Sequence, residues 1–325
     1  MSHYVLRSRR PLSALSSSAT ERHGALLRIE TDAGVGYSDL HPWFELGDQN
    51  LSIQLKALTS GKPLSLGARS LELAELDRQA RNLGQSAFAG LPLPPGNHRL
   101  IIDRELELNG NAGAEYLQQL LTTGVQTLKL KLGSDWRREA VFLMDCEARL
   151  QSFRLRLDFN GQLGRDEFLA FLEALPVSLR ETIEFIEDPI PLEVNGWNEL
   201  VERSSATLAL DRGSENLAAH APWMIWKPAV QKPEIARRRA SMGSKICVTS
   251  YLDHPVGQVD AMLEAARLMS SGVALEIGGL ASHFSYEANE FSESLSCHGG
   301  KVLPAPGTGI GFDELLAAQD WQELK

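Results

Sequence analysis

Thr127-Leu128-Lys129-Leu130-Lys131-Leu132 alternates leucine with lysine, and alternation is the period of a β-strand. Successive strand residues face opposite sides, so Lys129 and Lys131 share one face while three leucines share the other. Two arrangements fit. In an edge strand the lysine face is simply solvated. In a barrel the leucines fill the layer between sheet and helices, which turns both lysines into the interior, where an uncompensated ammonium is costly. The run follows a segment ended by Gly124 and precedes another helical pattern, as an internal strand of a repeating series should. The barrel reading therefore demands acids nearby.

Outward from that strand the same alternation of elements continues. Strand-like runs fall at Arg99–Ile102, Arg154–Asp158, Ile183–Ile186, Leu208–Asp211, Met224–Lys227, Ile246–Ser250 and Val273–Ile277. Helical patterns lie between them, near 112–123, 136–151, 165–175, 196–204, 232–242 and 256–270. A βα unit repeated about eight times gives a doubly wound sheet or a closed barrel. No G-x-G-x-x-G or Walker-type loop joins a strand to a helix, which removes support from a nucleotide-binding sheet. The pattern predicts an α/β chain, a modified TIM-type (β/α)7β barrel over 98–305.

The first 97 residues read differently. Gly24–Tyr37 reads as a hairpin turning at Asp32-Ala33-Gly34, and helical patterns follow near 49–60 and 68–83. The stretch Leu91-Pro-Leu-Pro-Pro-Gly-Asn97 marks a boundary. Residues 1–97 are expected to form an N-terminal α+β capping domain, and residues 306–325 to return to it, with a short helix near 312–323.

Acids do appear where the barrel needs them. Asp158, Glu187 and Asp211 each end a successive strand, so all three fall on the rim where active sites of this fold lie. Any one of them alone reads as an ordinary helix N-cap in a βα loop. Three in register are different: their mutual repulsion calls for a cation, and an all-oxygen set without His or Cys suits Mg2+, or Mn2+ in its place, rather than zinc. One strand further, Lys227 ends its run across the rim from Lys129 and Lys131. Lysines on both sides of a metal-held carboxylate form a device for removing the proton next to that carboxylate.

Taken in order, Lys129-x-Lys131, Asp158-x-Asn160, Glu187-Asp-Pro189, Asp211 and Lys227-Pro228 resemble the motifs of the muconate-lactonizing branch of the enolase superfamily. The resemblance spans nearly the whole chain: the Gly24–Tyr37 hairpin is similar to that family's cap, and Pro306–Asp313 to its C-terminal return. It implies that Lys131 is the base and then the acid, that Lys227 stabilises the developing charge, and that Asp158, Glu187 and Asp211 bind Mg2+. It further implies that Lys129 tunes Lys131, and that Asn160, Arg156 and Ser250 belong to the substrate's surroundings. Within the branch, the short chain and Arg156-Leu157-Asp158 resemble members that dehydrate a cyclohexadiene carboxylate to an aromatic acid in menaquinone biosynthesis. Racemisation of N-acylamino acids or epimerisation of dipeptides on the same site is the alternative. Three departures concern specificity: Gly36-Tyr-Ser-Asp-Leu-His41 where relatives carry Gly-x-Gly-Glu, Arg212 where an acid usually follows the third ligand, and Thr249-Ser250-Tyr251 in place of a run of serines.

Composition agrees with a small-molecule enzyme. A hydrophobic content of 43% suffices for a large core, and a net charge of -10 argues against nucleic acid. The basic runs Arg9-Arg10 and Arg237–Arg239 fit solvated surfaces. Cys146, Cys247 and Cys297 lack metal-site spacing and read as incidental thiols. Without a signal-like apolar region or a span of membrane length, a cytoplasmic chain is expected. His254 and His283 are expected to be structural.

Overall fold

The computed structural model describes residues 1–8, 12, 20–102, 108–298 and 300–324; the Arg9-Arg10 pair lies outside them. Strands β1 (Ser2–Arg7), β2 (Glu21–Thr31) and β3 (Gly34–Leu40) form an antiparallel sheet in that order. The β2–β3 hairpin turns through Asp32-Ala33, and Gly34 takes a φ of 117°, open to a residue without Cβ. Strand β1 adds a stave that the sequence reading does not contain. Helices α1 (Leu51–Thr59) and α2 (Ser65–Asn82) follow. Asn50 caps α1 by accepting from the Ile53 amide at 3.0 Å. Helix α2 lies against β3 so closely that a Cβ on Gly36 would sit 2.1 Å from the Ala74 carbonyl.

Seven parallel strands make the larger sheet: β4 (Arg99–Ile101), β5 (Thr127–Lys131), β6 (Arg154–Asp158), β7 (Ile183–Glu187), β8 (Leu208–Leu210), β9 (Trp223–Trp226) and β10 (Lys245–Val248). They are hydrogen-bonded in sequence order, the expected result of repeated right-handed βα units. The eighth stave is expected at Val273–Ile277 but lies slightly later and is too irregular to count as a strand. Glu276 donates to the Ile246 carbonyl, Gly279 bridges Thr249, and Gly278 bridges Asn97. These bonds tie β10 back to the start of β4 and complete the ring. Glycines at 278 and 279 explain the weak strand: both bring backbone where a side chain would clash, with a Cβ on Gly278 only 2.7 Å from the Val248 carbonyl.

Outward-facing Leu128, Leu130, Leu155, Leu157, Leu208 and Leu210 are buried beneath the surrounding helices. The barrel interior holds a separate apolar cluster of Phe185, Ala209, Trp223, Ile225 and Cys247. The helix expected near 136–151 breaks in two, Trp136–Asp145 and Glu147–Leu150, and a further short helix, Val177–Thr182, leads into β7. Residues 306–313 run back to α2. There the Asp77 carboxylate accepts from the Tyr37 and Ile310 amides at 2.8 and 2.7 Å, and Arg81 bridges Asp77 and Asp313. Helix Asp313–Ala317 ends well before 323, and Trp321 packs its ring on Tyr37. Among the described residues, no helix is long and apolar enough to cross a membrane.

Candidate active site

Strand register gathers the charged residues at one end of the ring. Lys131 pairs with Asp158, and Asp158 with Glu187, so three neighbouring staves end in step. Asp211 follows β8 directly and Lys227 follows β9. Since β5 and β9 are four positions apart in the eight-membered ring, Lys131 and Lys227 stand on opposite walls. Both line one pocket together with Lys129, Asn160, Glu187, Asp211 and Ser250. The cap closes it from above with Leu12, Trp43 and Leu46.

The lysines are paired with the acids. Lys129 Nζ donates to both Glu187 oxygens at 2.7 Å and lies 2.9 Å from Asp158 Oδ2. Lys131 Nζ sits 2.5 Å from Asp158 Oδ2, and Lys227 is bonded to Asp211. Burial pulls the Lys129 ammonium down, but Asp158, Glu187 and Asp211 outweigh it and hold its pKa above the usual value. Asp158 goes the other way: burial is overcome by Lys129 and Lys131, and its carboxyl is held low. Glu187 is pushed up to about 7 by burial and by the charge of Asp158, despite Lys129. Burial and the neighbouring acid both disfavour the ionised form of Glu187, and a divalent cation among the acids would favour it. Among the described residues, no three acidic, histidine or cysteine side chains surround one point as placed. The Lys129 ammonium stands between Asp158 and Glu187, and the Lys227 ammonium stands on Asp211, where a cation would otherwise balance them.

Local backbone devices hold these ends. Asn160 and Asp188, each two residues or one beyond an acid, take left-handed φ values of 53° and 40° that let the chain turn sharply off the strand. The Asp188 carboxylate accepts from the Asp211 and Arg212 amides at 3.0 and 2.9 Å, stapling the end of β7 to that of β8. Burial pushes the Asp188 carboxyl up, and these two donors oppose it. Asn160 Oδ1 lies 3.4 Å from both Lys131 Nζ and Arg212 Nη2. Ser250, just past the end of β10, donates to Ser282 at 2.6 Å.

Arg156, expected among the substrate's surroundings, stands outside the pocket. Period two correctly turns it inward, but it lies one layer below Asp158 and does not line the pocket. Its guanidinium is fully buried, bonded to Glu184 at 2.6 Å and to the Ile277 carbonyl at 2.8 Å, over the Phe185 ring. A bulge opposite Leu155-Arg156 in β7 aims Glu184 at it. Thr249 and Tyr251, on either side of Ser250, line the pocket, and so do residues that the sequence does not single out: His98 and Leu100 from β4 and the residue before it, Gly279, Ala281 and Ser282, besides the cap residues. Only the Gly278-Gly279 pair carried a signal, that of close backbone approach. His254 accepts from the Val256 amide as a helix cap, and His283 bonds to Gln258, so both occupy structural places.

The fold defines the class. The chain aligns with a dipeptide epimerase from Enterococcus faecalis, solved with Mg and the dipeptide L-Leu-L-Tyr, at a TM-score of 0.77 and 15% identity, covering 95% of this chain and 97% of that one. It aligns with muconate lactonizing enzyme from Pseudomonas putida at a TM-score of 0.73 and 14% identity, covering 97% and 98%. These likenesses establish an enolase-type α/β barrel with an antiparallel cap. Residues 1–80 match the family described as O-succinylbenzoate synthase, N-terminal domain, and residues 112–230 match the Enolase C-terminal domain-like family. The o-succinylbenzoate synthase of Bdellovibrio bacteriovorus is 35% identical over 333 aligned positions, covering 100% of this chain and 98% of that protein. The chain belongs to the o-succinylbenzoate synthase family of the enolase superfamily, whose members use a divalent metal.

Proposed function

We propose that this protein is a lyase that dehydrates 2-succinyl-6-hydroxy-2,4-cyclohexadiene-1-carboxylate to o-succinylbenzoate, a step of menaquinone biosynthesis, with Mg2+ as its metal. The observation that carries the reading is the placement of Lys131 and Lys227 on opposite walls of one pocket, flanking the acids that end three consecutive strands. The whole-length identity to a synthase supports the choice of reaction. The epimerase likeness, at 15% identity, speaks for the fold.

Asp158, Glu187 and Asp211 would hold the ion, which supplies, when bound, stabilisation of negative charge on the substrate carboxylate. Lys131, with Asn160 and Asp158 around its amine, removes the proton from the ring carbon bearing that carboxylate. Electron density from the broken C–H bond moves onto the carboxylate, and the Lys227 ammonium on the other wall stabilises it. Lys131, now protonated, faces the same side of the ring and gives its proton to the departing hydroxyl, so water leaves syn and the ring becomes aromatic. Lys129 holds Asp158 and Glu187 in place and favours the ionised form of each. The cap residues Leu12, Trp43 and Leu46 exclude water from the apolar ring.

The test is a spectrophotometric assay of the purified protein with the cyclohexadiene carboxylate and Mg2+, with and without chelator. Aromatisation that needs Mg2+ is the expected result. No rate under either condition would refute the reading.

A further inference from the structure

Below the lysines, at the floor of the pocket, His98 is held in one protonation form by its neighbour. Arg156 Nη1 lies 3.0 Å from His98 Nδ1. A guanidinium has only donors, so Nδ1 must be the acceptor and carry no proton. The neutral ring then has its proton on Nε2. Burial and the charges of Arg156 and Lys129 hold the ring's pKa well below its usual value, which keeps this form at physiological pH. Arg156 is itself fixed by Glu184, the Ile277 carbonyl and Cys247 Sγ, so the donor's direction is set from beneath.

That donor has nothing to bond. Among the described residues, no hydrogen-bond partner stands at Nε2, although His98 is only 7% exposed. The ring lines the pocket beside Gly279, and a Cβ on that glycine would come within 2.7 Å of Nε2 and 3.0 Å of Thr249 Cγ2. His98 Nε2 thus faces the pocket beside Gly279, with the methyl group of Thr249 on the other side of that glycine. The glycine between them keeps the corner open.

We propose that the His98 Nε2–H is the hydrogen-bond anchor for an oxygen of the bound carboxylic acid, and that Arg156 is the positioning residue that sets His98 as a donor. This rests on the pocket being the substrate site. It returns Arg156 to substrate recognition through its neighbour. His98 neither gives up nor takes a proton in this role; it orients the ligand beneath the lysines.

Nitrogen-15 NMR of the full chain tests the lock without a variant. In the free protein the His98 resonances show the proton on Nε2; a proton on Nδ1 overturns the inference. Saturation with o-succinylbenzoate and Mg2+ moves the Nε2–H proton downfield, and an unmoved signal at saturation overturns it as well. In Arg156→Met the ring samples both tautomers, whereas a pure Nε2–H form would remove Arg156 from the positioning role. His98→Phe weakens o-succinylbenzoate binding, measured by calorimetry with Mg2+, by about 10- to 100-fold, the effect of losing one hydrogen bond to a charged acceptor. His98→Gln, which carries an amide N–H at the ε position, recovers most of it. Equal affinity in His98→Phe and wild type overturns the anchor. Wild-type protein that binds no o-succinylbenzoate refutes the proposed reaction instead, and the tautomer in the free protein still decides the lock.

Discussion

Replacing Lys129 by methionine isolates the electrostatics of the rim. Lys129 is 7% exposed and bonds to Glu187 and Asp158 at 2.7 to 2.9 Å, so its loss leaves the buried Glu187 without its nearest cation and Asp158 with Lys131 alone. Breaking a buried ion pair from one side costs about 3–5 kcal/mol. For a chain of 325 residues the unfolding entropy is about 0.7 kcal/mol/K, so Tm should fall by about 4–7 °C in the presence of chelator. The loss should grow with pH. Glu187, already at about 7, rises further without Lys129, and its protonation at lower pH sheds the unpaired charge. Saturating Mg2+ should raise the Tm of Lys129→Met more than that of wild type, because the ion then supplies the missing positive charge. Thermal unfolding followed by circular dichroism, at two pH values with and without Mg2+, reads all three effects. A Tm unchanged in chelator at high pH would refute the view that Lys129 compensates the acids.

Lys131→Ala should abolish turnover while circular dichroism and Mn2+ binding stay close to wild type; substantial residual dehydration would remove Lys131 from the role of base. Lys227→Arg keeps a cation on the opposite wall and should retain part of the dehydration rate while losing any exchange of the substrate α-proton from that face, followed by NMR in deuterated water; equal loss of both would contradict the division of labour. His254 and His41 are buried and pushed down to about 3, so between that value and the unfolded 6.5 the unfolded chain binds more protons, and stability falls as the solution is acidified. Each contributes about 2 kcal/mol of loss by pH 5. Asp253, pushed up to about 7, works in the opposite direction, so the term is read as the difference in urea midpoint between wild type and His254→Asn across pH; a pH-independent difference would contradict it.

What could be read from the chain follows its physics. The Lys129/Lys131 alternation was legible because a charged face inside a barrel is costly and forces a matching acid on each neighbouring stave. The acids were legible because they end their strands. Depth was not: period two gives the face of Arg156 but not its layer, and only the register against β7 shows it beneath the pocket. His98 carries no local pattern, since its place comes from the start of β4 meeting the end of β10 and Gly279 in space. The eighth stave was misplaced because Val273–Leu275 look more like a strand than the glycines that make the bridges. Leu12, Trp43 and Leu46 are apolar residues of irregular segments, indistinguishable in sequence from ordinary core.

A crystal of the protein soaked in Mn2+ and examined by anomalous diffraction bears on the metal itself. One ion should appear with carboxylate oxygens of Asp158, Glu187 and Asp211 about 2.0–2.3 Å away, as for hard cations on oxygen ligands, and with the amines of Lys131 and Lys227 on either side. An ion bound elsewhere, or three acids that stay on their lysines at saturating Mn2+, would contradict the proposed chemistry.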